Sequence, residues 1–333
     1  MNTLVLYPGL SPQLEQTKIL GLPFLERFIL TAQQSGFVHV LKLADSAPLP
    51  PQFVLVYPDF IATPSFLKQL LPSKDLKSPV SSKNLSSSNK NWTPFRSLDD
   101  LKSSEKWLLK SLVKEEEGFM SKHVERKISL TFTKWLIPTA ITPNQMSSIS
   151  IGIGIVGALF FMVGQKWYDI SGSILFWLHS VLDGCDGEIA RLKFLESRWG
   201  GILDFWGDNI VHSAVFLGIA WGLAQSRREV APALLAFLAI SGTLLTAGFV
   251  YQRTMKSKKS SGPLFTSVTG NSKKNTLKKI IDFLARRDFI YLVILLAIWG
   301  HVDLFLWMGA IGAPFYLLVL LIMDFKPGYC VKK

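Results

Sequence analysis

The chain is poor in cysteine, histidine and negative charge. Two cysteines in 333 residues, Cys185 and Cys330, exclude a disulfide framework and a cysteine-based zinc site. Five histidines leave little for an imidazole-rich metal centre. The 36 Lys and Arg outnumber the 24 Asp and Glu, giving a formal net charge of +12. The N-terminus, MNTLVLYPGL, has no basic start and no long apolar core. No cleaved signal peptide is expected, and the N-terminal region is expected to stay in the cytoplasm. What is abundant is apolar: ten Trp and twenty-three Phe sit beside the basic excess. Soluble enzymes seldom combine the two, whereas membrane proteins do so readily, with apolar spans and basic cytoplasmic loops. The basic residues flank apolar segments rather than forming one folded face, so nucleic-acid binding is not expected.

The pattern changes along the chain. Residues 1–72 read as a small α/β unit. Short apolar runs at Leu4–Tyr7, Val38–Leu43 and Phe53–Tyr57 have strand content, and Phe24–Gln34 has helical periodicity. Residues 73–104 are rich in Ser, Lys and Asn and read as a linker. Residues 105–141 form an amphipathic juxtamembrane region, with Lys122, Arg126 and Lys127 among apolar residues, expected along the membrane surface. Residues 142–326 carry six apolar segments, near 143–164, 167–191, 200–224, 230–252, 280–300 and 302–324. Each is close to the roughly twenty residues needed to span a membrane. Residues 327–333 are a basic tail. The loop from Arg253 to Lys279 holds eight Lys or Arg. That excess predicts both termini and this loop on the cytoplasmic side. The fold class expected is therefore an α-helical integral membrane protein with a small α/β N-terminal domain, in a bacterial or archaeal-type cell membrane.

The second and third apolar segments contain carboxylates, which are costly in lipid and usually functional. Asp183, Asp186, Gly187, Ala190 and Arg191 fall at i, i+3, i+4, i+7 and i+8, one helical face. Gly200, Asp204, Asp208 and His212 recur every four residues, again one face. Two helices thus present paired acids and small residues to a shared cleft. Four clustered carboxylates require a compensating cation. All-oxygen ligands favour Mg2+ or Mn2+, and four acids suit two ions. Gly187, Ala190 and Gly200 leave room for a nucleotide against the backbone, and Arg191 suits phosphate oxygens. The alternative for any one Asp is a structural ion pair between helices. Eight fixed positions match by chance in roughly one chain of this length in 10⁷.

The motif Asp183-x2-Asp186-Gly187-x2-Ala190-Arg191-x8-Gly200-x3-Asp204-x3-Asp208 resembles, at every fixed position, the signature of the CDP-alcohol phosphotransferases. The resemblance covers roughly 118–324. It implies a six-span membrane enzyme that cleaves a CDP-alcohol and transfers the phosphoalcohol to an acceptor hydroxyl, releasing CMP. It implies Asp183, Asp186, Asp204 and Asp208 at the metal site, and Asp208 as general base. It implies Gly187, Ala190, Arg191 and Gly200 as CDP contacts, with Asn144, in Thr142-Pro143-Asn144-Gln145, as a further one. It implies a homodimer among membrane lipids. Glu117–Ser121 and Arg126–Ser129 resemble members fused to an inositol-phosphate cytidylyltransferase. Lys18–Arg27 looks like a nucleotidyltransferase substrate-pocket segment, and Val54–Asp59 like its strand ending in a metal-binding Asp. The Gly-rich loop expected after the first strand is absent, since Tyr7–Pro12 holds one Gly and two Pro. The N-terminal unit therefore reads as a degenerate relic, and the donor's CDP-alcohol as another enzyme's product.

Arg126, Arg286 and Arg287 are candidates to bind a substrate phosphate, with interfacial anchoring the equal alternative. His212 is expected to be a packed residue. Met308–Pro314 supplies small residues for close helix packing. Two other function classes compete, a transporter or channel using intramembrane acids and a non-catalytic scaffold. The acids near segment ends and the lack of an internal repeat disfavour transport. The intact motif disfavours the scaffold.

Overall fold

A computed structural model of the chain describes residues 3–7, 11–43, 53–71, 80–83, 85, 91–113, 124–227, 231–255 and 289–325. It divides into two units, Met1–Glu115 with Leu192–Phe194, and Glu116–Arg191 with Leu195–Lys333.

The first unit is α/β. β1 (Thr3–Leu6) lies between β4 (His39–Lys42) and β5 (Val54–Val56), parallel to both, with Leu4 opposite Val40 and Val54. Between β1 and β4 run α1 (Pro12–Gln16), the two-residue strands β2 (Lys18–Ile19) and β3 (Leu22–Pro23), and α2 (Phe24–Gln34). α2 buries Phe24, Phe28, Thr31 and Ala32, the one-face spacing of its sequence. The β2–β3 turn is left-handed at Leu20 (φ 45°) and Gly21 (φ 84°). A non-glycine residue there is unfavourable. Arg27 holds the turn by donating to the carbonyls of Ile19 (3.0 Å) and Leu20 (3.1 Å). Its burial pushes the guanidinium pKa down to about 10.

Further along, β6 (Phe60–Ala62) pairs antiparallel with β7 (Trp92–Pro94), flanking α3 (Pro64–Gln69). α4 (Leu101–Ser111) follows a 3-10 turn capped by Ser97 and Asp100. The unit thus reaches past residue 72, where the sequence reading begins a linker. Trp92 and Phe95 are the reason. Both are buried, and the Phe95 ring lies 4.6 Å from that of Phe24. Two aromatics in a polar stretch supply enough apolar surface to draw the segment onto the core.

The second unit is helical: α5 (Arg126–Leu136), α6 (Pro143–Phe161), α7 (Lys166–Lys193), α8 (Arg198–Arg227), α9 (Ala231–Val250), α10 (Phe289–Trp299) and α11 (Val302–Phe325). α6, α7, α8, α9 and α11 fall on five of the six predicted apolar segments, and α10 falls within the fifth segment, 280–300, of which residues 280–288 lie outside the described residues. By length and apolarity, α6, α9 with its π-helical extension, and α11 qualify as membrane spans, and α10 is a shorter apolar helix. α7 and α8 carry the polar motif residues, which lowers their mean hydropathy. Exposed Leu234, Phe237, Leu245, Trp307, Ile311 and Phe315 on α9 and α11 give the bundle an apolar outer surface, and the chain is an integral membrane protein.

Small residues set the helix spacing. A methyl on Gly157 of α6 would lie 3.0 Å from the Gly172 carbonyl of α7, and one on Gly172 would lie 2.8 Å from the Gly157 carbonyl. One on Gly154 would lie 2.5 Å from Val211 Cγ1 of α8. Gly157 and Gly172 let the backbones of α6 and α7 meet, and Gly154 makes room for the Val211 side chain. In α11, Gly309 makes room for Phe216, and Pro314 packs within 2.8 Å of a methyl position on Gly242. The core between these helices holds Phe161, Phe176, Val215, Ile219, Ala239 and Leu306.

Candidate functional site

α6 begins at a capping box. Thr142 accepts from the Gln145 backbone N–H (3.3 Å), and the Gln145 side chain accepts from that of Thr142 (3.0 Å), with Pro143 in the first turn. The start of α6 lies beside the start of α8. A methyl on Gly200 would lie 2.9 Å from Asn144 Oδ1. Asn144 and Gly200, 56 positions apart in sequence, therefore meet.

Deeper in, α7 and α8 bring acids together. Asp183, Asp186 and Asp204 each offer a carboxylate oxygen, all within 4.8 Å of one another, the metal-capable group of side chains among the described residues. Asp183 and Asp186 are 6% exposed. Three hard oxygen donors, two of them buried, repel one another unless a cation sits among them. The donor set therefore fits a divalent metal. Ser147 of α6 donates to Asp186 Oδ2, and the Gly187 N–H donates to Asp186 Oδ1, so that carboxylate is held in place. On the same face of α7, Gly187 leaves open space next to Arg191, whose guanidinium lies 3.8 Å from a methyl position on it. Ala190 is half-buried on this face.

Asp208, one turn after Asp204, does not join the trio. Its Oδ1 lies 3.3 Å from His179 Nε2 of α7, and His179 Nδ1 lies 2.9 Å from the Ser150 carbonyl of α6. His212 is packed, as its place in the sequence predicts. Its Nδ1–H donates to the Asp208 carbonyl (2.7 Å), and its ring meets Phe176 edge-on at 5.2 Å.

Arg126 is tied down within the protein. Its Nη1 donates to Glu188 Oε1 at 2.8 Å, and Glu188 is completely buried. Ser129 Oγ donates to the same oxygen (2.7 Å) and Thr133 Oγ1 to the other (2.6 Å). Residues 126, 129 and 133 lie on one face of α5, so three donors grip one carboxylate of α7. Gly184 gives Arg126 its space, with Nη1 3.2 Å from a methyl position there. Arg286 and Arg287 lie outside the described residues, as does Cys330.

Ser147, His179 and Glu188 do not stand out in the sequence as site residues. The signal for His179 is its place one turn before Asp183, and that for Glu188 is a further acid within the motif helix facing a polar stripe at 126, 129 and 133.

A helical membrane protein with a buried carboxylate trio beside a glycine-lined, arginine-bearing face is built to hold a metal ion and a phosphate ester. Residues 140–319, more than half the chain, match the family profile described as CDP-alcohol phosphatidyltransferase. The chain belongs to that family. Among curated relatives, the bifunctional IPC transferase and DIPP synthase of Thermococcus kodakarensis is 33% identical over 148 residues, 44% of this chain and 33% of that one. Its namesake in Rubrobacter xylanophilus is 33% identical over 156 residues, 46% of this chain and 35% of that one. The chain thus spans about a third of the length of these relatives. A crystal structure of Mycobacterium tuberculosis phosphatidylinositol phosphate synthase with CDP-DAG bound aligns at TM-score 0.43 and 20% identity, covering 62% of this chain and 98% of that one.

Proposed function

We propose that this protein transfers a phosphoalcohol from a CDP-alcohol to an acceptor hydroxyl, releasing CMP. The observation that carries the proposal is the trio of Asp183, Asp186 and Asp204, with oxygens within 4.8 Å of one another, in a chain of this family. These three residues would hold Mg2+ or Mn2+, and a second ion would require Asp208 to turn from His179 toward them. Bound there, a divalent cation supplies charge neutralisation at the donor's phosphate oxygens. The chain's own groups do the rest. Arg191 binds phosphate oxygens, and the bare faces of Gly187, Ala190 and Gly200, with Asn144, accommodate the CDP moiety. Asp208 takes the proton as the acceptor oxygen bonds to the phosphorus bearing the donor alcohol. The phosphoanhydride bond to CMP breaks in the same displacement, and CMP leaves with its electron pair.

The acceptor chemistry we favour is inositol-type, because the relatives in Thermococcus and Rubrobacter are named as IPC transferases and DIPP synthases. We assign six spans to α6–α11, with the acidic ends of α7 and α8 and both termini on the cytoplasmic side, on the strength of the basic loops. We assign a homodimer from the family resemblance. Arg126, already committed to Glu188, is better read as a structural clamp than as a phosphate ligand. The N-terminal unit we read as a nucleotidyltransferase relic without that activity. Asp59 supports this. It is 4% exposed and accepts from Ser81 Oγ (2.8 Å), Ser82 N–H (2.8 Å) and Ser82 Oγ (2.7 Å), so its oxygens are engaged internally.

The test is product identification. Membranes containing the chain are given CDP-diacylglycerol or a CDP-inositol with inositol phosphate, and products are resolved by mass spectrometry. A new inositol phosphodiester supports the reading. Products only from non-inositol acceptors overturn the inositol assignment while leaving phosphotransfer intact.

A further inference from the structure

The proposed reaction leaves one buried group beside the acids without a role. His179 is 1% exposed, and Phe176 stacks beside it with ring planes 18° apart. A backbone carbonyl only accepts hydrogen bonds, so the 2.9 Å contact with Ser150 places a hydrogen on His179 Nδ1. That bond fixes which way the ring faces, with Nε2 toward Asp208 Oδ1 at 3.3 Å. A carboxylate oxygen is again an acceptor, so with one hydrogen on Nδ1 this contact is a hydrogen bond when the ring carries its second hydrogen on Nε2 and meets an ionised Asp208 as an imidazolium. The imidazole thus bridges α6 and α8 from a position on α7. Asp204 and Asp208 are one turn apart on α8, yet Asp204 joins the carboxylate trio and Asp208 is met by a histidine.

We propose that His179 is a positioning residue. It holds the Asp208 carboxylate in the orientation that receives the acceptor's proton, and Ser150 holds His179. This rests on Asp208 acting as the base. A group that orients an acid or base commonly changes rate far more than donor affinity. Loss of such an outer partner costs about 10- to 100-fold.

The experiment has two arms. In the kinetic arm, His179→Ala, His179→Gln and His179→Met are compared in detergent-solubilised full chain with magnesium. Ala and Met are expected to lower kcat by about 10- to 100-fold, with KM for the CDP-alcohol within about 3-fold of wild type. Gln, whose amide can still donate, is expected to recover most of kcat. Equal kcat in all four proteins overturns the proposal. So does a parallel loss in Gln, Ala and Met, or a matching rise in donor KM, since general damage would produce either. If Ala does not accumulate, Met against Gln makes the same comparison.

The second arm needs no turnover. In 15N-histidine-labelled chain, the His179 resonance, identified by its disappearance in His179→Gln, is followed in Asp208→Asn. A shift of several ppm at Nε2 with Nδ1 steady is expected. No shift means that the bond to Asp208 is absent and overturns the proposal. A wild-type chain that releases no CMP defeats the phosphotransferase reading, while the resonance still decides whether His179 holds Asp208.

Discussion

Replacing Glu188 with alanine should detach α5 from α7. The carboxylate is fully buried and accepts from Arg126, Ser129 and Thr133 at 2.8, 2.7 and 2.6 Å. Alanine leaves a guanidinium and two hydroxyls facing an apolar wall. Breaking a buried ion pair from one side costs about 3–5 kcal/mol. The Arg126 side chain keeps 17% of its exposure, so water relieves part of that cost. The lower end, about 3 kcal/mol, is the expected value. At about 1.4 kcal/mol per tenfold, amide exchange across Arg126–Leu136 should accelerate by roughly 150-fold in detergent, while α9 and α11 exchange as before. Glu188→Gln keeps one acceptor and should lose less, about 1–2 kcal/mol. Arg126→Ala removes the cation, leaves the buried carboxylate to its two hydroxyl donors, and should cost about as much as Glu188→Ala. The double variant should cost less than the sum by about 1–3 kcal/mol. Unchanged exchange in α5, or strictly additive losses, would refute the clamp.

Three further outcomes follow from the same geometry. Magnesium at about 100 times its Kd should stabilise the chain by about 2.7 kcal/mol in thermal unfolding, and chelation or Asp204→Asn should abolish the gain; a gain that survives Asp204→Asn places the ion elsewhere. Gly172→Leu should drive α7 from α6, because a Cβ there already lies 2.8 Å from the Gly157 carbonyl; the expected cost exceeds about 3 kcal/mol, read as lost monodispersity or a lowered Tm in detergent. Asp59→Ala should loosen the N-terminal unit by about 2–3 kcal/mol, seen as faster proteolysis within residues 1–115, with CMP release unchanged; a fall in CMP release would give that unit a catalytic role.

Much of the membrane unit is legible in the sequence because lipid leaves few options. Apolar runs of about twenty residues become helices, and α6, α7, α8, α9 and α11 fall on predicted segments, with α10 inside the fifth over its described residues. The acids were legible for a related reason, since a carboxylate in such a helix demands a purpose. What spacing along one helix cannot convey is its partner across the bundle. Helical periodicity put Asp204 and Asp208 on one face, but only the packing of α7 against α6 and α8 brings His179 to Asp208 and leaves Asp204 with Asp183 and Asp186. Arg126 reads in sequence as an interfacial or phosphate-binding cation, and its bond to Glu188, 62 residues away, is a tertiary fact. The N-terminal unit extends into a stretch that composition assigns to a linker, because Trp92 and Phe95 outweigh many polar neighbours once they can reach Phe24 and Phe60. Composition averages over a window, whereas burial is decided residue by residue.

The central claim is that Asp183, Asp186 and Asp204 gather a metal ion for CDP-alcohol phosphotransfer. Its most direct measurement is acceptor-dependent release of labelled CMP from a panel of CDP-alcohols by purified chain, with and without magnesium or manganese. Release is expected to require both acceptor and metal and to fall at least about 10³-fold in Asp204→Asn. Release unaffected by chelation and by Asp204→Asn, or no release from any donor by well-folded protein, would contradict it.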